Sequence, residues 1–291
     1  MITVAALYHF AQLEDPNTVQ PALLSTCHEA GIKGSLLLAR EGINGTIAGP
    51  KSGIAGVIDH IRALPGFADL TWKESSASEM PFARLKVRLK REIVTMGQPD
   101  VDPTLKVGRY VKPADWNALI SEPDVAVIDT RNSFEVAIGT FDGAIDPQTE
   151  SFRDFPGWWA ENKERFAGKR IAMFCTGGIR CEKSTSYLVS QGIEDVFHLQ
   201  GGILKYLEEV PEKDSLWSGS CYVFDGRVSV EHGLKEGPHV PCHACGRPLS
   251  PIDTQHRDYE EGAQCHQCVT KYTDADRDRF RQRHRQMMQQ A

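Results

Sequence analysis

A short apolar run, residues 170–174, leads directly into Cys175-Thr-Gly-Gly-Ile-Arg-Cys181, and a helical pattern follows up to Ser190. Four to eight apolar residues bounded by turn residues are typical of a buried parallel strand. A strand that ends in a glycine-containing loop and continues as a helix is the repeating unit of an open α/β sheet, which binds ligands at the carboxyl ends of its strands. The sequence therefore predicts an α/β sheet with a cysteine at its binding edge.

The residues after Cys175 suit a stabilised thiolate, which is the reactive form of cysteine. Glycines let backbone N–H groups surround the sulfur as an anion cradle, and the N-terminus of the following helix adds positive potential. Arg180 either supplies a permanent cation to the sulfur or points outward to bind a substrate. The residues of this cradle are Thr176, Gly177, Gly178 and Ile179. We predict that Cys175 is a catalytic nucleophile; the alternative is an incidental buried cysteine in a turn.

Cys181 is a second cysteine in the same loop, six positions after Cys175. Across a tightly curled loop it could resolve a persulfide or a sulfenic acid on Cys175 as a disulfide. It could equally be a residue at the start of a helix that packs inward. The sequence leaves both roles open.

Two CxxC pairs near the C-terminus have the spacing of a zinc ribbon, with 19 residues between them. Four thiolates close a tetrahedral site and leave no open position, so we predict structural and not catalytic zinc. The alternative is a metal-free, redox-sensitive thiol cluster. The four predicted ligands are Cys242, Cys245, Cys265 and Cys268.

The eight cysteines are bunched in the sequence and not spread as a disulfide framework would be. Such bunching favours catalysis or metal binding in a reducing compartment. The N-terminus lacks a signal-peptide pattern, and no segment approaches the ~20 apolar residues of a membrane span. We therefore expect a cytoplasmic protein. Its net charge of −6 gives no global attraction for nucleic acid, so RNA would have to bind local basic patches.

The first 95 residues alternate strand and helix patterns in the order βαββαβ, which predicts a ferredoxin-like or acylphosphatase-like α+β sandwich. Arg40-Glu-Gly-Ile-Asn-Gly45 is expected to be a turn between two strands. A last strand over 82–94 carries basic side chains on one face. These candidates for RNA contact are Arg84, Lys86, Arg88 and Lys90, with Lys183 near the catalytic end. The alternative for this basic face is the solvated side of an antiparallel sheet.

The chain is thus predicted to be a multi-domain α/β protein. We expect an acylphosphatase-like domain over 1–95, a linker and connecting helix over 96–119, and an α/β domain with a parallel sheet over 120–215. The remaining residues, 216–291, would form a small cysteine-rich, zinc-ribbon-like region with a charged tail. The oligomeric state is not predicted.

Cys175-x4-Arg180 followed by a helix resembles the active loop of the rhodanese superfamily, in which the cysteine carries sulfur as a persulfide. The supporting elements of that fold are matched by Asp129-Thr-Arg131 and by Glu135. The related cysteine phosphatases have one more residue between Cys and Arg, which enlarges the cradle to the size of phosphate. The shorter loop disfavours a phosphatase.

The full loop from Cys175 to Lys183, together with residues 40–45 and 85–94, resembles the rhodanese-containing tRNA uridine hydroxylases. The resemblance implies oxygen-dependent 5-hydroxylation of the wobble uridine, with molecular oxygen as co-substrate and the tRNA anticodon loop as partner. The sequence shows no flavin, haem or nucleotide-binding motif. Two other hypotheses stay open: a sulfurtransferase that carries a persulfide on Cys175, and a non-catalytic adaptor that binds RNA or protein.

Overall fold

A computed structural model describes residues 1–290 of the chain. Its N-terminal part is a five-stranded sheet in the order β4-β1-β3-β2-β5, antiparallel except for the parallel pair β2 and β5. The elements are β1 (Ile2–Phe10), α1 (Pro16–Glu29), β2 (Lys33–Ala39), β3 (Gly42–Gly49), α2 (Lys51–Arg62), β4 (Trp72–Ala77) and β5 (Leu85–Leu89). The two helices cover one sheet face, where a continuous apolar core forms. This acylphosphatase-like sandwich confirms the predicted fold.

The segment expected to be a six-residue turn is mostly strand. β2 ends at Ala39 and β3 begins at Gly42. A Cβ atom at Gly42 would lie 2.0 Å from a carbonyl oxygen of β1, and one at Gly45 would lie 2.0 Å from a carbonyl oxygen of β2. These glycines therefore allow close approach of neighbouring strands, a role that sequence alone does not distinguish from a turn.

The last strand is shorter than expected. β5 stops at Leu89, although the N–H of Lys90 still donates to the carbonyl of Leu38 at 2.8 Å. Ile93 instead packs into a small apolar cluster, and its N–H donates to the carboxylate of Glu41 at 2.6 Å. The side chain of Glu41, in the turn between β2 and β3, thus takes the place of a neighbouring strand as the hydrogen-bond partner of this segment.

The central part is a parallel sheet in the order β6-β10-β9-β7, with an apolar core on each face. This rhodanese-type parallel sheet was predicted. Its elements are β6 (Arg109–Val111), α3 (Pro113–Ile120), β7 (Val125–Asp129), α4 (Ser133–Val136), β8 (Gly139–Phe141), α5 (Phe155–Asn162), β9 (Arg170–Phe174), α6 (Ile179–Ser190), β10 (Val196–Leu199) and α7 (Gly202–Glu209). Residues 109–111 were expected to be linker; they form an edge strand because β10, far along the chain, offers them a partner.

The C-terminal part contains short strands and one long helix. The elements are β11 (Trp217–Gly219), β12 (Cys221–Tyr222), β13 (Ser229–Val230), β14 (Val240–Pro241), β15 (Pro248–Leu249) and α8 (Asp274–Gln290). β11 pairs with β8, and residues 217–230 contribute side chains to the core under α7. Short 3-10 helices lie at Phe152–Asp154, Lys163–Phe166, Glu212–Asp214, His232–Leu234 and Asp253–Gln255. Within residues 1–290, no helix has the length and apolar content needed to cross a bilayer.

Candidate active site

The cysteine loop joins the end of β9 to the start of α6. The N–H of Gly178 donates a hydrogen bond of 3.1 Å to Sγ of Cys175. Gly178 has a φ of 107°, a conformation that glycine adopts without steric strain. The loop therefore turns a backbone amide toward the sulfur.

The first turn of α7 holds the loop from the opposite side. The N–H groups of Ile203 and Leu204 donate to the carbonyl oxygens of Cys175 and Thr176 at 2.9 and 3.0 Å. A Cβ atom at Gly202 would lie 2.5 Å from the carbonyl oxygen of Cys175. Glycine at this position therefore permits the contact that fixes the loop backbone.

Cys175 and Cys181 are both buried, and no disulfide joins them. Burial alone raises the pKa of Cys175, but the neighbouring Cys181 side chain and the charge of Arg180 outweigh it, so this pKa is lowered. Burial and the neighbouring Cys175 sulfur raise the pKa of Cys181. These opposite shifts favour a thiolate on Cys175 and a thiol on Cys181. The hydroxyl oxygen of Thr130 lies 3.5 Å from Sγ of Cys181.

Arg180 points inward. Its guanidinium donates to both carboxylate oxygens of Glu135 at 2.6 and 2.8 Å, and to the hydroxyl of Thr176 at 3.1 Å. Burial would raise the pKa of Glu135, but the charge and hydrogen bonds of Arg180 outweigh it and lower this pKa. Glu135 and Thr176 accept hydrogen bonds from Nη1 and Nη2 of Arg180, so Arg180 holds the loop in place, and its side chain also lines the cavity described below.

A second buried ion pair lies behind the first. Arg131 donates to Asp129 through two nitrogens, at 2.9 and 2.6 Å, and both side chains are fully buried. Arg131 also donates to the carbonyl oxygen of Gly139 at 2.6 Å and to that of Glu135 at 3.3 Å. These contacts fix the segment between β7 and β8, which places the carboxylate of Glu135 under the cysteine loop.

Sequence reasoning missed a carboxyl group beside the cysteine loop. The hydroxyl of Tyr8, on β1, donates to Glu182 at 2.8 Å across 174 residues of chain. Tyr110, on β6, lies near enough to Glu182 to affect its pKa. Burial raises the pKa of Glu182 by more than the two tyrosines lower it, and the charge on Cys175 also raises it. The only local signal was a glutamate directly after Cys181, which does not reveal its partners.

A cavity of about 920 Å³ lies between the helix-free face of the N-terminal sheet and the cysteine loop. Cys175 and Glu182 line it from the central part, and Tyr8 from the N-terminal sheet. Aromatic and basic side chains form further parts of its wall, among them Phe82, Phe224, Lys73, Lys90 and Lys205. The cavity is therefore formed by both parts of the protein, and the cysteine loop is part of its wall.

The basic residues of β5 lie on an edge strand. Arg84, Arg88 and Lys90 are exposed, and Lys86 is half-buried. Of these four, Lys90 lines the cavity. RNA contact by this strand stays a prediction.

Lys183 requires a correction. Its ammonium group is buried and donates to Glu41 and Glu92, at 2.7 Å each, and to the carbonyl of Val94 at 3.2 Å. These partners belong to the N-terminal part, so Lys183 joins the two parts of the protein and is not available to RNA. The prediction took a lysine near the loop to be exposed, because the sequence does not show that another domain covers α6.

The two CxxC pairs come together as predicted. Sγ of Cys242 lies 3.9 Å from Sγ of Cys268, and Sγ of Cys245 lies 3.9 Å from Sγ of Cys265. Sγ of Cys265 lies 3.7 Å from Sγ of Cys268. Tetrahedral zinc with Zn–S bonds of about 2.3 Å places its sulfurs about 3.8 Å apart. The four thiols therefore fit a zinc ion, and the cluster is consistent with a zinc-ribbon-like module.

Comparison with known proteins agrees with this architecture. The family model described as UPF0176 acylphosphatase like domain matches residues 2–93, and the Rhodanese-like domain matches residues 112–209. A protein of Ruegeria pomeroyi named tRNA uridine(34) hydroxylase is 64% identical over 287 residues, which cover 99% of this chain and 95% of that protein. The chain belongs to the tRNA uridine(34) hydroxylase family.

Further members extend this relationship. The tRNA uridine(34) hydroxylase of Roseobacter denitrificans is 60% identical, with 99% of this chain and 97% of that protein covered. The family resemblance stated from the sequence is therefore confirmed. Among solved structures, a rhodanese-related protein from Thermoplasma volcanium is 24% identical to this chain. The match covers 35% of this chain and 93% of that protein. Its TM-score of 0.26 is too low to support any inference.

Proposed function

We propose that this protein is an enzyme that hydroxylates C5 of the wobble uridine, in the anticodon loop of tRNA, with molecular oxygen as co-substrate. The proposal rests on one observation: over nearly its full length, the chain is 60% and 64% identical to two proteins named tRNA uridine(34) hydroxylase. The eight free cysteines fit a reducing compartment, and we place the protein in the cytoplasm.

The cavity has the size and the lining that a nucleotide requires. Its volume of about 920 Å³ lies at the upper end of the range for small-molecule sites. Single-stranded RNA bases bind by stacking on aromatic rings, and Tyr8, Phe82 and Phe224 provide such rings in this wall. An anticodon base is unpaired, so the enzyme does not need to open a duplex to bind it.

Cys175 and Glu182 are the groups that would act on the base. Addition of the Cys175 thiolate to C6 of uracil makes C5 electron-rich, because the charge is shared with the C4 carbonyl. Dioxygen would give one oxygen atom to C5, while a two-electron reductant from outside the protein and two protons would convert the other oxygen atom to water. Glu182, whose raised pKa brings proton exchange toward neutral pH, would take the proton from C5 as the thiolate leaves.

We also propose that the four thiols of the CxxC pairs hold structural zinc. Four sulfur ligands give a closed site, which stabilises the module and takes no part in the reaction. Arg84, Lys86, Arg88 and Lys90 remain candidates for contact with the RNA outside the cavity.

Nucleoside mass spectrometry of tRNA from a deletion strain tests the function. We expect 5-hydroxyuridine-derived nucleosides to disappear, to return with the wild-type gene, and to stay absent with Cys175→Ser. Cys27→Ser, a change at another buried cysteine in the N-terminal core, is the matched control and should restore them.

The same experiment can overturn the proposal. Unchanged nucleosides in the deletion strain, with second pathways removed, would rule out the hydroxylase. Thiosulfate:cyanide activity that depends on Cys175, with no effect on tRNA, would instead support the sulfurtransferase. Full restoration by Cys175→Ser would support a non-catalytic adaptor.

A further inference from the structure

Two lysines from different parts of the protein meet at the wall of the cavity. Lys73 lies on β4 of the N-terminal sheet, and Lys205 lies on α7 of the central part. Their meeting point is Gly201: a Cβ atom there would lie 2.9 Å from Nζ of Lys73 and 2.8 Å from Cδ of Lys205. The two side chains are therefore close neighbours, although they belong to elements far apart in the sequence.

Within residues 1–290, the charge of Lys73 has no paired counter-ion. Its ammonium group makes no hydrogen bond or ion pair with any side chain that the structure describes, and Lys205 forms a single ion pair of 3.5 Å with Glu209. Lys183, which also joins the two parts, has two carboxylate partners. A half-buried cation beside a second cation is unfavourable unless an anion joins them.

The ionisation of Lys73 agrees with this geometry. Burial and the neighbouring Lys205 lower the pKa of Lys73 to about 8, against the weaker opposing effect of Glu208 and Glu209. Both glutamates are exposed, so their charges are largely screened by water. The two lysines are therefore the less screened charges at this position, although Glu208 also lines the cavity.

The lysine pair belongs to the same cavity as the cysteine. Lys73, Gly201, Lys205 and Cys175 all line it. The backbone nitrogen of Gly201 lies 3.6 Å from the position that a Cβ atom at Gly178 would occupy, so the pair adjoins the cysteine loop. An anion held by the two lysines would thus stand beside the loop with the body of the cavity free for an attached group.

We propose that Lys73 and Lys205 bind the phosphodiester phosphate next to the target uridine. The inference rests on the proposed function, because that function supplies an RNA strand to the cavity. A phosphodiester carries one full negative charge and accepts hydrogen bonds from ammonium groups on several sides. Since the lysines come from opposite walls, a bound phosphate would also neutralise the repulsion between the two parts of the protein.

A chemical double-mutant cycle with an anticodon stem-loop RNA tests the site. Lys73→Ala and Lys205→Ala should each weaken binding about tenfold, as expected when a charged hydrogen bond is removed. Methylphosphonate in place of the phosphate beside the uridine should weaken wild-type binding by a similar factor and leave the double variant unaffected. The log–log salt dependence of binding should become shallower by about 0.7 for each phosphate that the variant no longer neutralises.

Lys51→Ala is the matched control. This lysine is exposed, lies outside the cavity and forms an ion pair of 3.8 Å with Glu74, which neighbours Lys73 in sequence. It should keep the full sensitivity to methylphosphonate. Melting temperature and the alkylation rate of Cys175 show whether each variant is folded.

Each outcome decides between the two proposals. A double variant that remains sensitive to methylphosphonate, or a wild type that is insensitive, refutes the phosphate site while hydroxylation of the RNA by wild type upholds the function. Wild-type protein that neither binds nor hydroxylates the RNA refutes both. Loss of methylphosphonate sensitivity in the double variant, with Lys51→Ala unchanged, supports the site.

Discussion

Replacing Cys181 by alanine tests whether the second cysteine of the loop stabilises the thiolate of the first. We expect the Cys181 thiol to donate a hydrogen bond to the Cys175 thiolate, because the Cys181 side chain has the largest effect that lowers the pKa of Cys175 against burial. Alanine removes the donor and leaves the backbone N–H groups and Arg180 in place. The charge on Cys175 should therefore become harder to form.

The size of the effect follows from the energy of the hydrogen bond that is removed. A hydrogen bond to a charged group contributes about 1.5–3 kcal/mol, and one pKa unit corresponds to about 1.36 kcal/mol. Loss of the bond should thus raise the pKa of Cys175 by roughly 1–2 units. Cys181→Ser keeps an O–H donor and should retain most of the lowering.

The rate of alkylation by iodoacetamide as a function of pH measures this pKa, with mass spectrometry of the peptide that contains Cys175. The wild-type midpoint should fall below the ordinary thiol value of about 8.5. Cys27→Ala makes the same chemical change in the N-terminal core, where burial alone raises the pKa of the thiol to about 11. This control should leave the midpoint for Cys175 unchanged.

A midpoint that does not move in Cys181→Ala would refute the reasoning, because the lowering would then come from the backbone and Arg180 alone. A shift of the same size in Cys181→Ser would show that sulfur, and not hydrogen bonding, is responsible.

Four further predictions concern charge, pH and metal. Glu135→Gln should lower the free energy of unfolding in urea by about 3–5 kcal/mol, because Arg180 stays buried without its counter-ion; a loss below about 1 kcal/mol, as expected for the exposed pair of Glu150, would contradict this. Since the folded protein lowers the pKa of Glu135 below 4.5, its contribution is present above pH 4.5 and is lost as the pH falls through the folded-state value. The free energy of unfolding should fall in that pH range for wild type and less steeply for Glu135→Gln. Parallel plots of this free energy against pH would contradict a contribution from Glu135 ionisation. Lys183→Met should expose the junction of the two parts to proteolysis and lower stability by about 3–5 kcal/mol, because two carboxylates lose their cation; protection equal to wild type would show that apolar packing suffices. Cys242→Ser should lower bound zinc, by elemental analysis, while Cys175 still alkylates normally; unchanged zinc would exclude Cys242 as a ligand.

Several features of the site were predictable because their residues are neighbours in sequence. The strand, the cysteine, the glycines and the start of α6 lie within residues 170–181, and backbone conformation alone brings them together. The CxxC pairs were recognisable for the same reason, since the two cysteines of each pair lie in one turn and their thiols face the same cluster. The parallel sheet followed from short apolar runs.

Other features depend on contacts across the fold. Arg180 could have faced a ligand, and the position of Glu135, 45 residues away, decides that it faces inward. The sequence around Lys183 does not show whether its side chain is exposed or buried. The carboxylates of the N-terminal part determine that it is buried. No local pattern carries this information, because charge and burial depend on what packs against a side chain.

The sequence by itself determined that a cysteine lies in a glycine-containing loop at the end of a parallel strand, because this arrangement depends on the local backbone. Only the tertiary structure decided what surrounds that cysteine. It placed Glu182 between two tyrosines of different elements, and Lys73 against Lys205. The physical reason is that a cavity is formed where two units pack together, and its charges and walls exist only after both have folded.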